Sequence, residues 1–246
     1  MQIGLVVIGD ELLLGRRQDQ HVPKMIEILA QRGLRLSWVR FVGDDAALLE
    51  ETFRDTLERN DLVFSFGGIG ATPDDLTRQC AAAAAGRDLV RHPEAAAIIE
   101  KRFGNDAYPN RILMADLPRD VSLIPNPVSQ IPGFSLNDHH FLPGFPNMAW
   151  PMSEWVLDTY YGHVFVAHPP VTRTLMLFGV PESELIPSMN ELLEQFGDIK
   201  LSSLPSTVTR GEIELGLRGP AAEVENAWSW LTRRLDELGV RWKAPL

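Results

Sequence analysis

Three short segments of the sequence combine glycines with carboxylates, and each follows a run of apolar residues. The segments cover residues 9–15, 42–45 and 67–77. Glycine lets backbone N–H groups approach an oxyanion closely, and a helix that begins nearby points its positive end at the same place. Carboxylates there would repel a bare phosphate, but a divalent cation bridges carboxylate and phosphate oxygens. The pattern therefore predicts a site for a phosphate-bearing ligand bound together with a divalent, Mg²⁺-type ion.

The third segment also allows a purely structural interpretation. Thr72 is a suitable N-cap, Pro73 suits the first helical position, and Asp74 and Asp75 favour the first turn of a helix predicted over residues 73–85. Capping alone does not explain the three glycines directly before it, and these favour close approach of a ligand. For the acids of the second segment, capping of the next helix is an equal alternative.

The elements that must position these segments alternate along the chain. Residues 3–8, 34–42 and 61–66 are typical of buried strands, and apolar residues at helical spacing lie between them. Such alternation predicts a mostly parallel sheet, in which ligands bind beyond the carboxyl ends of the strands. The looser sequence that follows predicts a hairpin near residues 137–138 and a helix over residues 146–160.

The pattern changes after His168, where two consecutive prolines indicate a linker. The remaining elements follow the order strand, helix, strand, strand, helix, strand, which is typical of a small split-βαβ domain. We therefore predict an α/β chain with two domains, residues 1–167 and residues 171–246. The second lacks a glycine-rich loop, and we expect it to serve packing or assembly into a homo-oligomer, either a dimer or a trimer.

Composition excludes several classes of partner. The net charge is −10, and no cluster of Lys and Arg suits nucleic acid or an anionic membrane surface. The single cysteine, Cys80, permits no intrachain disulfide, and the sequence has neither a signal-peptide pattern nor a long apolar span. We expect a cytoplasmic protein that binds a small phosphate-containing molecule.

At this point the motifs become specific. Gly67-Gly68-x-Gly70 followed by Asp74-Asp75-x-Thr77 resembles the signature of the molybdopterin-binding domain family, which includes the MoaB and Mog proteins. The segments at residues 9–15, 126–134 and 142–146 resemble the N-terminal domain of competence/damage-inducible CinA proteins, and residues 114–118 resemble the same region of eukaryotic FAD synthases. The resemblance covers roughly residues 1–161. It does not include the nicotinamide-nucleotide deamidase domain that ends full-length CinA proteins, so deamidase activity is not expected.

This resemblance implies a three-layer α/β sandwich that binds a pterin or a nucleotide through phosphate. Mog-type members transfer AMP to molybdopterin, and CinA-type domains are associated with metal-dependent hydrolysis of nucleotide pyrophosphates such as ADP-ribose. The family's two catalytic acids fall on Asp44 and Asp75. Asp74 stands where many members carry Arg or Lys, which makes metal dependence more expected and completes a candidate metal set of Asp44, Asp74 and Asp75. No organic cofactor is implied with certainty.

The candidate contacts for the ligand and its phosphate come from all three segments and from the Leu-Pro-Gly motif near residue 144. They are Gly9, Asp10, Glu11, Gly15, Gly67, Gly68, Ile69, Gly70, Thr72, Thr77, Pro143 and Gly144. Two positions depart from the CinA pattern, since Met148 replaces an acid and Ser129 replaces a glycine. Both changes bear on the substrate and on turnover.

Histidines and arginines supply further candidates. His21 lies just inside a predicted helix start, where it either contacts ligand or is simply a polar first-turn residue. Arg16 and Arg17 either hold phosphate or are solvated charges. His139 and His140 are neighbours on a predicted strand and therefore point to opposite faces, which favours hairpin residues over a metal site.

Three functions remain open at the level of sequence. The chain is a metal-dependent hydrolase of a nucleotide pyrophosphate, a molybdopterin adenylyl transferase or carrier, or a non-catalytic nucleotide-binding regulator. Retention of Asp44, Asp75 and the glycines favours catalysis, whereas Met148 slightly favours the regulator. Pterin and nucleotide both present phosphate to the same loop, so the sequence does not choose between them.

Overall fold

A computed structural model of the chain describes residues 1–207, 209 and 211–244, and the chain divides into two compact units, Met1–Phe165 and Val166–Leu246. The strands of the first unit are β1 (Ile3–Ile8), β2 (Trp38–Val42), β3 (Leu62–Phe66), β4 (Leu89–Arg91), β5 (Asp116–Pro118), β6 (Ser122–Ile124), β7 (Gly133–Leu136) and β8 (His139–Leu142). Its helices are α1 (Asp10–Leu13), α2 (His21–Gln31), α3 (Ala46–Glu58), α4 (Thr77–Ala84), α5 (Pro93–Phe103) and α6 (Pro146–Tyr160), with 3₁₀ turns at Gly104–Ala107, Arg111–Ala115 and Gly162–Val164.

The first unit is a mixed α/β fold with a mostly parallel central sheet, as predicted. The strand order is β2-β1-β3-β8-β7-β6, in which the first four strands are parallel and the last two pair antiparallel. Helices α2 and α6 contribute to one core cluster, and α3, α4 and α5 contribute to another. The sheet therefore lies between two helical layers, while β4 and β5 form a separate two-stranded ladder.

Strand β1 shows why a continuous apolar run was needed at the centre of this sheet. Successive side chains of a strand point to opposite faces. Accordingly, Leu5 and Val7 lie in the cluster with α2 and α6, and Val6 and Ile8 lie in the cluster with α3, α4 and α5. All the residues of β1 are buried. Because β1, β3 and β8 are parallel neighbours, their carboxyl ends meet at one edge of the sheet.

Two boundaries differ from the sequence prediction. Strand β2 begins at Trp38 rather than at residue 34, because the backbone N of Leu34 donates to Leu29 O at the end of α2 and is not free to pair. Helix α4 begins at Thr77 rather than at Pro73. Thr72 is therefore not its N-cap, and residues 72–75 close a separate turn in which Asp75 N donates to Thr72 O. The ladder of β4 and β5, and helix α5, had no predicted counterpart.

The hairpin forms where it was predicted, with β7 and β8 joined at residues 137–138 and Asn137 in the left-handed region. Its two histidines do face opposite layers. The ring of His139 bonds to the hydroxyl of Ser65 at 2.7 Å, whereas His140 lies between the hydroxyls of Ser135 and Tyr161 at 2.8 and 2.9 Å. Both rings are buried, so they are structural groups of the two cores.

The second unit is a four-stranded antiparallel sheet with two helices. Its elements are β9 (Val171–Phe178), α7 (Glu182–Gln195), β10 (Lys200–Pro205), β11 (Glu212–Gly219), α8 (Ala221–Glu237) and β12 (Arg241–Lys243), and the strand order is β10-β11-β9-β12. It has a hydrophobic core of its own, to which β9, β11 and both helices contribute. In the described part of the chain, no helix has the length and apolar character needed to cross a membrane.

The buried histidines give the first unit a predictable pH dependence. Burial lowers the pKa of His140 to about 3 from an ordinary 6.5, and burial lowers the pKa of His139 well below its ordinary value. The unfolded chain takes up protons on these rings below about pH 6.5, where the folded chain does not, so the free energy of unfolding falls as the pH falls.

Between about pH 7.5 and about pH 5, His140 alone should lower the free energy of unfolding by about 2 kcal/mol. The variant His140→Gln should lose this part of the pH dependence in urea unfolding. His163→Gln changes an exposed histidine and should keep the wild-type dependence. An unchanged pH dependence in His140→Gln would contradict this origin.

Candidate functional site

The loop after β3 turns its carbonyl groups toward helix α4. We call residues 67–71 the glycine loop. Gly67 O accepts from the Oγ1 hydroxyl of Thr77 at 2.9 Å, and Gly68 O accepts from Thr77 N at 3.0 Å. Gly67 and Gly68 both have positive φ, 111° and 67°, which only glycine adopts readily. Within the described residues, the backbone N–H groups of residues 68–71 have no hydrogen-bond acceptor.

The glycines of this loop make room for side chains of the protein itself. A Cβ on Gly68 would lie 2.3 Å from Thr77 Oγ1, and a Cβ on Gly70 would lie 2.4 Å from Asp75 Oδ2. On Gly67 it would lie 2.6 Å from the carbonyl oxygen of Ile8. The sequence interpretation assigned these glycines to ligand contact alone. In the structure they also let the loop pack against β1 and against the two polar side chains that hold it.

The glycine loop forms one wall of a cavity of about 430 Å³, which we call the glycine-loop cavity. The turn at Pro143 and Gly144 forms another wall, and the polar groups of Asn126 and Ser129 form a third. Most of the remaining lining is apolar and comes from Ile69, Met114, Ile131, Phe145 and Met148. The cavity thus combines free amide groups with apolar walls.

Asp75 is the carboxylate of this cavity. Its Oδ2 accepts from Thr72 N at 2.8 Å and from the Thr72 Oγ1 hydroxyl at 2.5 Å. These bonds fix one carboxylate oxygen against the end of the glycine loop. The carboxylate is therefore oriented by its own loop, although it does not lie in the first turn of a helix.

Asp10 and Asp44 join the first two glycine–acid segments through reciprocal hydrogen bonds. Asp10 N donates to Asp44 Oδ2 at 3.0 Å, and Asp44 N donates to Asp10 Oδ1 at 3.1 Å. Burial raises the pKa of Asp44, and the carboxylates of Asp10, Glu11 and Asp74 raise it further, while the hydrogen bond from Asp10 N acts in the opposite direction. Within the described residues, no salt bridge engages any of these acids. In the described part of the chain, no ion pair compensates the negative charge there.

A second cavity, of about 470 Å³, shares Gly144 with the first, and we call it the His21 cavity. Phe66 supplies an aromatic wall, and the polar lining comes from Glu11, Arg17, Gln18, Asp19, Gln20 and His21. A Cβ on Gly144 would lie 3.4 Å from Gly67 Cα, so the turn at Gly144 packs on the glycine loop.

The structure distributes the predicted site residues over these features. Seven line the glycine-loop cavity, namely Gly68, Ile69, Gly70, Thr72, Asp75, Pro143 and Gly144. Glu11 lines the His21 cavity, and Thr77 is buried, where it holds the loop. Asp10 pairs with Asp44, and Gly9 N donates to Val42 O. Gly15, Arg16 and Asp74 are exposed and line neither cavity.

Arg78 is a residue of the site that sequence reasoning missed. Its side chain is 4% exposed, and the guanidinium donates to Gly70 O at 2.8 Å, to Asp116 O at 2.9 Å and to Leu113 O. It therefore ties the glycine loop to the segment that carries Met114. Burial lowers the pKa of Arg78. An arginine inside a predicted helix gives no signal that it is buried, so this role emerges only from the fold.

The acids suit a divalent cation only in part. Within residues 1–207, 209 and 211–244, no group of three His, Cys, Asp or Glu side chains is arranged to hold a metal ion. The available donors are carboxylate oxygens, which are the ligands that Mg²⁺ prefers, and Mg²⁺ commonly uses one or two carboxylates together with phosphates of the substrate. The residues present therefore fit a cation that is bound jointly with a phosphate ligand, rather than one held by the protein alone.

Comparison with known proteins places this geometry in context. The family described as "Probable molybdopterin binding domain" matches residues 4–163. A CinA-like protein of Syntrophotalea carbinolica is 33% identical over 193 residues, which are 75% of this chain and 47% of that protein. A CinA-like protein of Citrifermentans bemidjiense is 32% identical over 247 residues, which are 96% of this chain and 58% of that protein.

A solved structure is also similar to this chain. The crystal structure of the CinA protein of Thermoplasma acidophilum, described as of unknown function, is 30% identical and has a TM-score of 0.59. The match covers 65% of this chain and 98% of that protein. The chain spans about half the length of the curated relatives it matches.

The role of Arg78 can be tested through stability. Arg78→Lys loses the planar fork that serves three carbonyl groups and should lower the free energy of unfolding by about 2 kcal/mol, measured by urea unfolding. Arg87→Lys is the matched control, because Arg87 also donates to two carbonyl oxygens, those of Arg119 and Asp120, but on a more exposed side chain. It should cost less than about 1 kcal/mol. Equal effects of the two changes would show that burial of Arg78 does not matter.

Proposed function

The chain belongs to the family of probable molybdopterin-binding domains and has CinA-like proteins among its relatives, and on that premise we propose that it binds a nucleotide pyrophosphate such as ADP-ribose and hydrolyses it with a divalent metal ion. Hydrolysis adds water across the P–O–P linkage, so ADP-ribose would give AMP and ribose 5-phosphate. The proposal concerns the first unit and the glycine-loop cavity.

One observation carries the phosphate part of this proposal. Four consecutive backbone N–H groups, those of residues 68–71, have no acceptor within the described residues and belong to the loop that lines the cavity. Unpaired backbone N–H groups are rare in folded proteins unless water or a ligand satisfies them. A run of such groups in a turn forms a concavity that binds anions. A pyrophosphate supplies several acceptor oxygens for such a run of amides.

The carboxylates support a hydrolytic rather than a purely binding role. Asp75 lines the same cavity with one oxygen fixed by Thr72, which leaves Oδ1 to orient a water molecule or to share a cation with the phosphate. Asp44 adds a second carboxylate, which forms no salt bridge with any described residue. When bound, a Mg²⁺-type ion would neutralise these acids and the phosphate and polarise the phosphoryl oxygens. The amides of residues 68–70 would stabilise charge that develops on the phosphate oxygens.

Molybdopterin is the second candidate ligand, and the family description favours it. Its phosphate would take the same amide groups, and the apolar walls of the cavity would take its fused ring. A regulator without turnover is the third candidate, and Met148, which departs from the acid expected from the CinA pattern, lines the cavity. Binding alone does not separate these functions from hydrolysis, so the decisive measurement is turnover.

We expect the purified chain to convert ADP-ribose into AMP and ribose 5-phosphate only when a divalent ion is added, with the products separated by chromatography. Asp75→Asn and Asp44→Asn should each lower the rate at least about 100-fold while the fold is retained, because each removes a charge that holds the ion or orients water. Asp45→Asn is the matched control. Asp45 caps α3 by accepting from Leu48 N at 3.0 Å, and asparagine caps equally well.

Three results would count against the hydrolase. Turnover without a divalent ion would show that the reaction does not depend on a metal. A wild-type rate in Asp75→Asn would show that the Asp75 carboxylate has no part in catalysis. Tight binding of molybdopterin, with no hydrolysis of ADP-ribose, FAD or diadenosine phosphates, would favour the second candidate instead.

A further inference from the structure

The helices of the second unit pack on one face of its sheet. Successive side chains of a strand point to opposite faces, and residues directly opposite each other on neighbouring strands share a face. Leu175 and Leu177 of β9 and Leu215 and Leu217 of β11 lie in the hydrophobic core with α7 and α8. The other face, which we call the outer face, consists of the even-numbered residues of β9, β10 and β11 and the odd-numbered residues of β12.

The outer face carries apolar side chains that reach solvent. Leu204 is 60% exposed, and Met176 and Phe178 are half-buried. None of the three belongs to the core of the second unit. The strand register places Glu214 between Leu204 and Met176. Neighbouring apolar side chains on a protein surface favour a site of association with another protein.

Charge on the outer face is separated along β11. Glu212 and Glu214 lie toward one end of the strand, and Arg218 lies toward the other end, directly opposite Lys200 of β10. Like charges directly opposite each other in an antiparallel sheet are destabilising. Among the described residues, none of these four side chains takes part in a salt bridge. Each end of the face therefore lacks the opposite charge that a partner would supply.

Small residues separate the acidic end from the basic end. Ser202, Gly216 and Thr174 are neighbours across β10, β11 and β9. A Cβ on Gly216 would lie 2.5 Å from Ser202 Oγ, so the serine hydroxyl covers the glycine. No long side chain stands in this row, which allows a second sheet to approach to the distance of about 10 Å at which two sheets pack.

A two-fold axis along this row makes the outer face complementary to itself. Such an axis lays β11 of one copy over β11 of the other in the opposite direction. Residues equally far from Gly216 on its two sides then face each other, so Glu214 meets the partner's Arg218 and Arg218 meets the partner's Glu214. An interface between identical subunits usually has this symmetry, and each favourable pair then occurs twice.

We propose that the outer face is an interface between two copies of this chain, which pack sheet against sheet. A second copy fits better than an unrelated partner, because the face carries both signs of charge in the arrangement that its own copy requires. Leu204, Met176 and Phe178 are then covered together with the charges. The interface lies in the second unit and does not depend on the proposed function.

The test is the oligomeric state of the full chain, measured by sedimentation equilibrium. The wild-type chain should dimerise, and salt should raise its dissociation constant because it screens surface charges. Arg218→Glu and Glu214→Arg each set like charges against each other and should raise the dissociation constant at least about 30-fold. The double variant reverses both signs and should return to within about threefold of the wild type. Glu184→Arg is the matched control, since it makes the same change at an exposed residue of α7.

Chemical cross-linking gives a measurement that does not depend on charge. Thr174 lies on the proposed axis and therefore faces the partner's Thr174. Thr174→Cys should form a covalent dimer with a short bis-maleimide, whereas Glu184→Cys should remain a monomer on a denaturing gel. The only native cysteine, Cys80, is 2% exposed and should not react.

Three outcomes would overturn the proposal. They are a wild-type chain that stays monomeric at high concentration, a dimer that neither single charge reversal weakens, and single variants whose defect the double variant does not repair. Melting followed by circular dichroism checks that each variant is folded. If a single charge variant does not fold, the salt dependence of the wild-type dimer and the cross-link at position 174 decide.

Discussion

The glycine loop depends on the two bonds by which Thr77 holds the carbonyl groups of Gly67 and Gly68. A loop that turns its carbonyls toward the next helix necessarily turns the following N–H groups elsewhere, and here those groups border a cavity. Gly68 must be glycine because Thr77 Oγ1 occupies the place of its Cβ. Arg78 then fixes the far side of the loop through Gly70 O. The unpaired amides of residues 68–71 are thus a consequence of how the backbone is tied at the start of α4.

Electrostatics adds a second condition to this geometry. The loop amides favour an anion, whereas Asp10, Glu11, Asp44 and Asp74 form a negative field that the described part of the protein does not neutralise. A ligand made of phosphate alone would meet that field without compensation. A phosphate accompanied by a cation satisfies both conditions, because the phosphate suits the amides and the cation suits the acids. The negative sign of the charge on these acids, rather than the number of acids, therefore selects among ligands.

The sequence predicted what depends on local pattern and missed what depends on distant contacts. The burial of β1 follows from its uninterrupted apolar run, and the hairpin at residues 137–138 follows from residues that tolerate a left-handed turn. The start of α4 was placed four residues too early, because Thr72, Pro73 and the two aspartates form a good capping sequence. That capping potential was used in a separate turn instead, since Asp75 accepts from Thr72. The buried positions of Arg78 and His21 depend on the carbonyl groups of other segments, which no spacing rule describes.

The crossed bonds between Asp10 and Asp44 have one more consequence. Each carboxylate accepts from the other residue's amide, so the first and second acid segments are held by a single reciprocal lock. Removal of either carboxylate deletes one of the two bonds and leaves the other in place. A cation that draws Asp44 toward a ligand would loosen the Asp10 segment at the same moment, and occupancy at one loop would then be communicated to its neighbour.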